Sequence, residues 1–291
     1  MPEFNLCNDY KKMFENIVDL GTDYLKVYPS IESMVVGISG GIDSALTAAI
    51  AREICDRNSK HKLIGVSIPI ESNRKSEIEN ARKVGNAFCD EFVEIKFINV
   101  LFTIFKLGVE IFYTNKDHSK TLKEKIRYGN IKARLRMMYL YDKAHRNNGL
   151  VLSTDNLTEF YLGFWTLHGD VGDLGFIQES WKTEVYGISN YLLRKYDILM
   201  ASNISNWEIY GCRLEALRNA INAIPTDGLG VTTSDFDQLG VTSYRQADMI
   251  LIDFLNGDKT INISHPIVQR FLRTSYKREN PYSLPRQDII R

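Results

Sequence analysis

No CxxC pair is present among the four cysteines, Cys7, Cys55, Cys89 and Cys212, which excludes a zinc ribbon and a redox dithiol. Cys55 and Cys89 fall in apolar-periodic stretches and read as buried thiols. Charge of one sign is also lacking. Lys plus Arg equals Asp plus Glu at 36 each, so bulk electrostatics point to neither nucleic acid nor a membrane surface. No apolar run approaches the roughly 20 residues of a membrane span. The N-terminal stretch MPEFNLCNDYKKMF has no uncharged apolar core, so no secretory signal is expected there and a reducing cytoplasm is the simplest setting. Internal repeats and low-complexity segments are absent too. A composition of 44% hydrophobic and 25% charged residues fits a soluble globular chain with ample length for a core.

The sequence does contain an alternation. Phe4, Tyr10, Met13, Phe14, Ile17, Val18, Tyr24 and Leu25 recur at helical spacing, predicting an amphipathic helix within residues 4–27. Met34–Ile38 is a short apolar run, and Ile42–Arg57 reads as a helix. Strands are expected at Leu63–Ile68, Phe92–Ile98 and Leu150–Ser153. Helices are expected at 75–89, 101–111 and 121–147, with a polar loop at 113–121. Asp155 is placed to cap the helix after the fourth strand. Residues 163–180 and 225–240 read as long loops. Helices are predicted at 182–194, 207–223, 244–256 and 265–275, before an irregular tail. Strands alternating with helices imply an α/β fold, a doubly wound parallel sheet with helices on both faces. No linker demands a second domain, so residues 1–291 are read as one.

Gly37-Ile-Ser39-Gly40-Gly41-Ile-Asp43-Ser44 lies between the first strand and its helix. Small residues let a backbone approach an anion, and a helix N-terminus offers unpaired N–H groups. The spacing is neither GxxxxGK[ST] nor GxGxxG. Asp43 is the informative residue. Beside a phosphate cradle a carboxylate repels its own ligand, unless a bound Mg²⁺ bridges the two. Taken alone, a tight turn with an acidic residue in the first helical turn explains the same pattern. A second acidic position follows in Leu150-Val-Leu-Ser-Thr154-Asp155-Asn-Leu-Thr-Glu159. In a parallel sheet the first and fourth strands end on one edge, where ligands bind, so Glu159 can meet Asp43 around one metal.

SGGIDS resembles the pyrophosphate-binding SGGxDS of the ATP-pyrophosphatase superfamily. STDNLTEFYLGFWTLHGDVGD is similar to the GTDxxExxxGFxTKxGDGxxD of ammonia-dependent NAD synthetases. GNIKARLRM at 129–137, Pro225-Thr226-Asp227, Leu239-Gly240-Val241 with Tyr244, and Tyr276-Lys277-Arg278 resemble that family's further motifs in order. The resemblance implies ATP-dependent, AMP-forming amidation of deamido-NAD in a homodimer. Gly37, Ser39, Gly40, Gly41, Asp43, Ser44, Thr154, Lys182 and Thr226 would then hold ATP, and Asp43 and Glu159 would hold Mg²⁺. Arg134, Asp173, Tyr276 and Lys277 would contact deamido-NAD, and Asp43, Lys182 and Asp173 would be catalytic. The chain departs from the family at Leu167, where a lysine is usual, at His168 and Tyr276, and by one residue missing before Asp173. Residues 195–222 look like a helical insertion. Glutamine-dependent relatives carry an additional amidohydrolase domain for which this chain has no room, so the resemblance implies ammonia as donor, either free or supplied by a separate subunit. Amidation of another carboxylate, or a silent nucleotide-binding homologue, are the competing readings.

Overall fold

The computed structural model describes residues 4–70, 73–96, 103, 122–202, 204–223, 235–280 and 282–290. Apart from residue 103, which is helical, the helix expected at 101–111 lies outside them, as do the loop at 113–121 and Pro225-Thr226-Asp227.

A five-stranded, wholly parallel sheet runs in the order β3-β2-β1-β4-β5. Its strands are β1 (Ser33–Gly37), β2 (Lys62–Ser67), β3 (Glu91–Glu94), β4 (Gly149–Ser153) and β5 (Leu174–Gly175). The period of two divides the side chains between two cores. Met34, Val36, Leu63, Leu150 and Leu152 face one cluster, and Val35, Ile64, Val66 and Val151 the other. Register is thereby fixed, because a one-residue slip would exchange the two faces. Val35 pairs with Ile64 on one side and Val151 on the other.

The first face is covered by α1 (Tyr10–Val27), α2 (Ile42–Arg57), α3 (Lys75–Phe88), α6 (Lys182–Ser202) and α7 (Trp207–Ile221). In α1, Phe14, Val18, Gly21, Thr22 and Leu25 are buried, and Asp9 caps the helix by accepting from Lys12 N at 3.0 Å. The second face is covered by α4 (Leu122–Arg146), through Met137, Leu140 and Ala144. Helices thus lie on both faces, as the alternation predicts.

A third apolar cluster sits beside the carboxyl edge. It joins α5 (Leu157–Leu162), α8 (Asp235–Leu239), α9 (Tyr244–Leu255) and α10 (Pro266–Arg273) around Trp181, Leu251 and Ile267. Two short helices, α11 (Ser275–Arg278) and α12 (Arg286–Ile289), end the chain. No helix among the described residues is long and apolar enough to cross a membrane.

Several local expectations change. The 163–180 stretch contains β5, too short to show a period. The helix expected to end at 194 continues to Ser202. Within 225–240, residues 235–239 are helical. Asp155 does not cap α5. Asn156 does, accepting from Glu159 N at 3.1 Å, while Glu159 Oε2 accepts from Asn156 N at 3.4 Å. This reciprocal capping box satisfies two otherwise orphaned donors.

Candidate active site

The sheet order reverses at β1, which pairs with β2 on one side and β4 on the other. The turns leaving β1 and β4 are therefore neighbours at the carboxyl edge, where open α/β sheets hold ligands. A cleft of ≈ 590 Å³ opens there. Gly37, Ser39, Asp43, Ser44, Thr154, Glu159, Lys182, Tyr276 and Lys277 all line it.

The loop after β1 is held by its own hydroxyls. Ser39 N donates to Ser44 Oγ at 3.2 Å, Gly41 N donates to Ser39 Oγ at 3.2 Å, and Ser44 Oγ donates to Gly41 O at 3.1 Å. Gly40 has φ +90°, and a Cβ there would lie 2.2 Å from the carbonyl oxygen of Glu77. Only glycine takes both the conformation and the space. Gly41 is the N-cap of α2 with no side-chain cap, so first-turn N–H groups of this helix remain for an anion.

Lys182, the first residue of α6, reaches across to both acidic positions. Its Nζ lies 2.5 Å from Asp43 Oδ2 and 3.0 Å from Glu159 Oε1, with only 5% of the side chain exposed. Asn156 Nδ2 donates to Asp43 Oδ1 at 2.9 Å, joining the turn after β4 to the one after β1. Burial alone would lower the Lys182 pKa, but Asp43 and Glu159 outweigh it and hold the ammonium well above its ordinary range. Burial raises the Glu159 carboxyl, Lys182 opposes this, and Asp43 adds to it. The Tyr244 ring stands 5.3 Å from the same ammonium.

Two carboxyl groups that motif reading passed over belong to this cleft. Asp155 is held well above the usual carboxylate range, first by burial and then by Glu159 and Asp170. Asp170 is raised by burial, although the Thr166 backbone N–H donates to it. Asp170 is the first Asp of Gly-Asp-Val-Gly-Asp, and Asp155 stands inside Ser-Thr-Asp-Asn, so both were visible in the quoted stretches. Arg136 of α4 also lines the cleft, with Nε 3.0 Å from Ile68 O and Nη2 3.3 Å from Asn73 Oδ1.

Two expected acceptor residues are not brought into the cleft. Asp173 Oδ2 accepts from Val151 N at 2.9 Å, and Oδ1 accepts from the Tyr141 hydroxyl at 3.0 Å. The carboxylate thus pairs with the backbone of β4. Burial, and then the hydrogen bond to Asp173, push the Tyr141 hydroxyl up to about 12. Arg134 Nε donates to Leu167 O at 3.1 Å, and Arg134 lines an adjoining hollow of ≈ 320 Å³ with Tyr141 and His168. Thr226 lies outside the described residues.

The C-terminal helices secure the wall that carries Trp165 and Asp170. Arg278 NH1 donates to Tyr161 O at 3.0 Å, Arg270 Nε to Leu162 O at 2.7 Å, and Lys277 Nζ to Gly163 O at 2.8 Å and Trp165 O at 2.5 Å. Cations at the end of α5 suit its free carbonyls. Gly163 ends that helix at φ +65°. Lys277 has its pKa lowered by burial and by Arg270.

Comparison with known proteins places the chain in a family. The NAD synthase family profile matches residues 13–281. An NH(3)-dependent NAD(+) synthetase of Methanococcoides burtonii is 35% identical over 229 residues, covering 78% of this chain and 74% of the relative. One from Thermoplasma acidophilum is 28% identical over 282 residues, covering 95% and 98%. Among solved structures, the NMN synthetase of Francisella tularensis superposes with TM-score 0.71 at 25% identity, covering 96% of this chain and 99% of that one. The NH3-dependent NAD synthetase of Campylobacter jejuni superposes with TM-score 0.65 over 95% and 99% and, at 23% identity, supports the fold. With its match spanning nearly the whole chain and the glycine-rich loop, the acidic pair and the bridging lysine in one cleft, the chain belongs to the NAD synthase family.

Proposed function

We propose that this chain amidates deamido-NAD to NAD with ATP and ammonia, releasing AMP and pyrophosphate. The Lys182 ammonium, held between Asp43 and Glu159 beside the phosphate loop, carries the reading. A pyridine carboxylate resists ammonia because its charge repels nucleophiles and oxide is a poor leaving group. Attack of that carboxylate on the α-phosphorus displaces pyrophosphate and makes a mixed anhydride, from which ammonia displaces AMP. Negative charge grows on the leaving pyrophosphate, where Lys182 and the N–H groups at the start of α2 stand ready to meet it. Gly37, Ser39, Gly40, Gly41, Asp43, Ser44, Thr154 and Thr226 complete the ATP site in this reading.

Asp43 and Glu159 fit Mg²⁺. Their oxygens are hard donors converging on one cation. No cluster of three or more His, Cys, Asp or Glu among the described residues encloses a metal, and Mg²⁺ characteristically needs only one or two carboxylates plus phosphates and water. When bound, it would neutralise phosphate charge.

The acceptor is assigned to the cleft wall of Asp170, Tyr276 and Lys277, extending toward Arg134 in the adjoining hollow. Asp170 replaces Asp173 as the carboxyl group facing it. A homodimer is part of the proposal: α4 leaves Met138 and Tyr141 exposed beside Val171 of the site wall, an apolar strip that a second copy would cover. The chain is read as one domain working in a reducing cytoplasm, with residues 195–222, the end of α6 together with α7, as a helical insertion whose Leu214 and Leu217 join the core cluster of Val84 and Phe88.

The test is a coupled assay with deamido-NAD, ATP, Mg²⁺ and ammonium. NAD, AMP and pyrophosphate should form in equal amounts. Release of ADP and phosphate would sink the mechanism. A parallel arm with the corresponding pyridine mononucleotide checks the acceptor, and preference for it would overturn the dinucleotide assignment.

A further inference from the structure

Three successive N–H groups at the start of α6 are each taken by a side chain. Trp181 N donates to Glu184 Oε2 at 2.8 Å, Lys182 N to Thr158 Oγ1 at 2.8 Å, and Thr183 N to Asp248 Oδ2 at 2.8 Å. Thr158 Oγ1 in turn donates to Asp248 Oδ1 at 2.5 Å. Thr158 is 1% exposed and Asp248 is fully buried. This helix N-terminus therefore has its first donors occupied, and the side chain of Lys182, not its backbone, addresses the cleft.

We propose that Thr158 and Asp248 are positioning residues: a directional hydrogen-bond relay fixes the Lys182 backbone and so holds its ammonium between Asp43 and Glu159. The proposal rests on the reading of Lys182 given above. Geometry supports it in three ways. Thr158 immediately precedes Glu159 on α5, so one residue sets the spacing between Glu159 and Lys182. Asp248 lies one turn after Tyr244 on α9, so α9 meets Lys182 at its backbone through Thr158 and at its ammonium through the Tyr244 ring. The chain also has a fixed direction, from Lys182 N–H to the Thr158 hydroxyl to the Asp248 carboxylate. Threonine must accept on one side and donate on the other, and only an acceptor-only group at 248 enforces that. Burial raises the Asp248 carboxyl. Such a costly group is tolerated where donors satisfy it and where a helix N-terminus favours negative charge.

Asparagine at 248 is nearly isosteric but breaks the direction. If its oxygen accepts from Thr183 N, its amide points a donor at Thr158, which then competes with Lys182 N. Thr158→Val removes the relay, and Thr158→Ser keeps it.

The experiment measures pyrophosphate release for Thr158→Ser, Thr158→Val and Asp248→Asn, each alone and combined with Lys182→Met. Thr158→Val and Asp248→Asn should each lower kcat about tenfold or more with KM for ATP within about threefold, and Thr158→Ser should stay within about threefold of wild type. In the Lys182→Met background the Thr158→Val change should cost less than about twofold, because residues acting as one unit are not additive. An equal loss in both backgrounds, or a Thr158→Ser enzyme as slow as Thr158→Val, overturns the relay. A second measurement needs no turnover: amine labelling at mildly alkaline pH, read by peptide mass spectrometry. Labelling of Lys182 should rise in Thr158→Val and Asp248→Asn, whereas buried Lys132 should not change. Unchanged Lys182 labelling in both variants, with native circular dichroism, also overturns it. A wild-type protein that releases no pyrophosphate refutes the functional reading instead, and the labelling still decides the relay.

Discussion

Replacing Lys182 with methionine keeps an unbranched stem and removes the ammonium that two carboxylates share. Both contacts are charge-assisted, at 2.5 and 3.0 Å. Removing one partner of a buried ion pair costs roughly 3–5 kcal/mol. The low end, about 3 kcal/mol, applies because a fifth of the Asp43 side chain and a quarter of that of Glu159 are exposed and water reaches both. At roughly 2 cal/mol/K per residue, a chain of 291 residues has an unfolding entropy of about 0.6 kcal/mol/K, so Tm should fall by about 5 °C. Turnover should fall further, by about 100- to 1,000-fold, the usual loss when a fixed donor to developing charge is removed. One more signature separates this from general damage. Two carboxylates stripped of their ammonium repel each other and attract a divalent cation, so Mg²⁺ without ATP should raise the Tm of Lys182→Met more than that of wild type. Scanning fluorimetry and pyrophosphate release measure all three. A variant within about 1 °C of wild type and within about threefold in turnover would show that Lys182 does not hold these charges together.

Gly40→Ala forces a residue with a Cβ to φ +90° and against the Glu77 carbonyl, a conformational cost of about 1–2 kcal/mol before any clash. The phosphate loop should shift, and KM for ATP should rise about tenfold or more in steady-state assays; an unchanged KM would show that the loop does not contact ATP. His61 is buried at the start of β2, and its pKa is lowered, chiefly by that burial. The unfolded chain then binds a proton below about pH 6.5 that the native state refuses, so the contribution is intact above that pH and is lost as pH falls below it. The stability difference between wild type and His61→Gln should narrow between pH 8 and 5.5 in urea titrations, and a constant difference would contradict this. Leu167→Lys supplies the cation that the family resemblance implies at this position and should lower KM for deamido-NAD by up to about one to two decades with KM for ATP nearly unchanged. No gain would remove this loop from the acceptor site.

The parallel sheet was legible because β1, β2 and β4 are short apolar runs, each followed or preceded by a helical period. The tight turn after β1 was legible because Ser-Gly-Gly marks a place where a backbone needs glycine, and Gly40 takes φ +90° there. β5 was not, since two residues carry no period. Asp155 was misread because Asp and Asn are both good N-caps, and sequence alone could not choose between Asp155 and Asn156. Asp173 was misplaced for a different reason. Its carboxylate pairs with Val151 N of β4, a tertiary contact that no local pattern shows. The Thr158–Asp248 relay joins residues 90 positions apart, beyond any local pattern.

The clamp on the cleft wall has a consequence in time. The sheet strands and the phosphate loop lie within the first 175 residues, whereas the donors to the carbonyls of Tyr161, Leu162 and Gly163 are 117, 108 and 114 residues further along. Contacts at such separation close late, after the loop-closure entropy of the intervening chain is met. A growing chain can therefore build a phosphate cradle before it can wall off the acyl-adenylate from water. Until Arg270, Lys277 and Arg278 dock on these carbonyls the cradle stands without its wall, so an adenylate formed there would be open to hydrolysis.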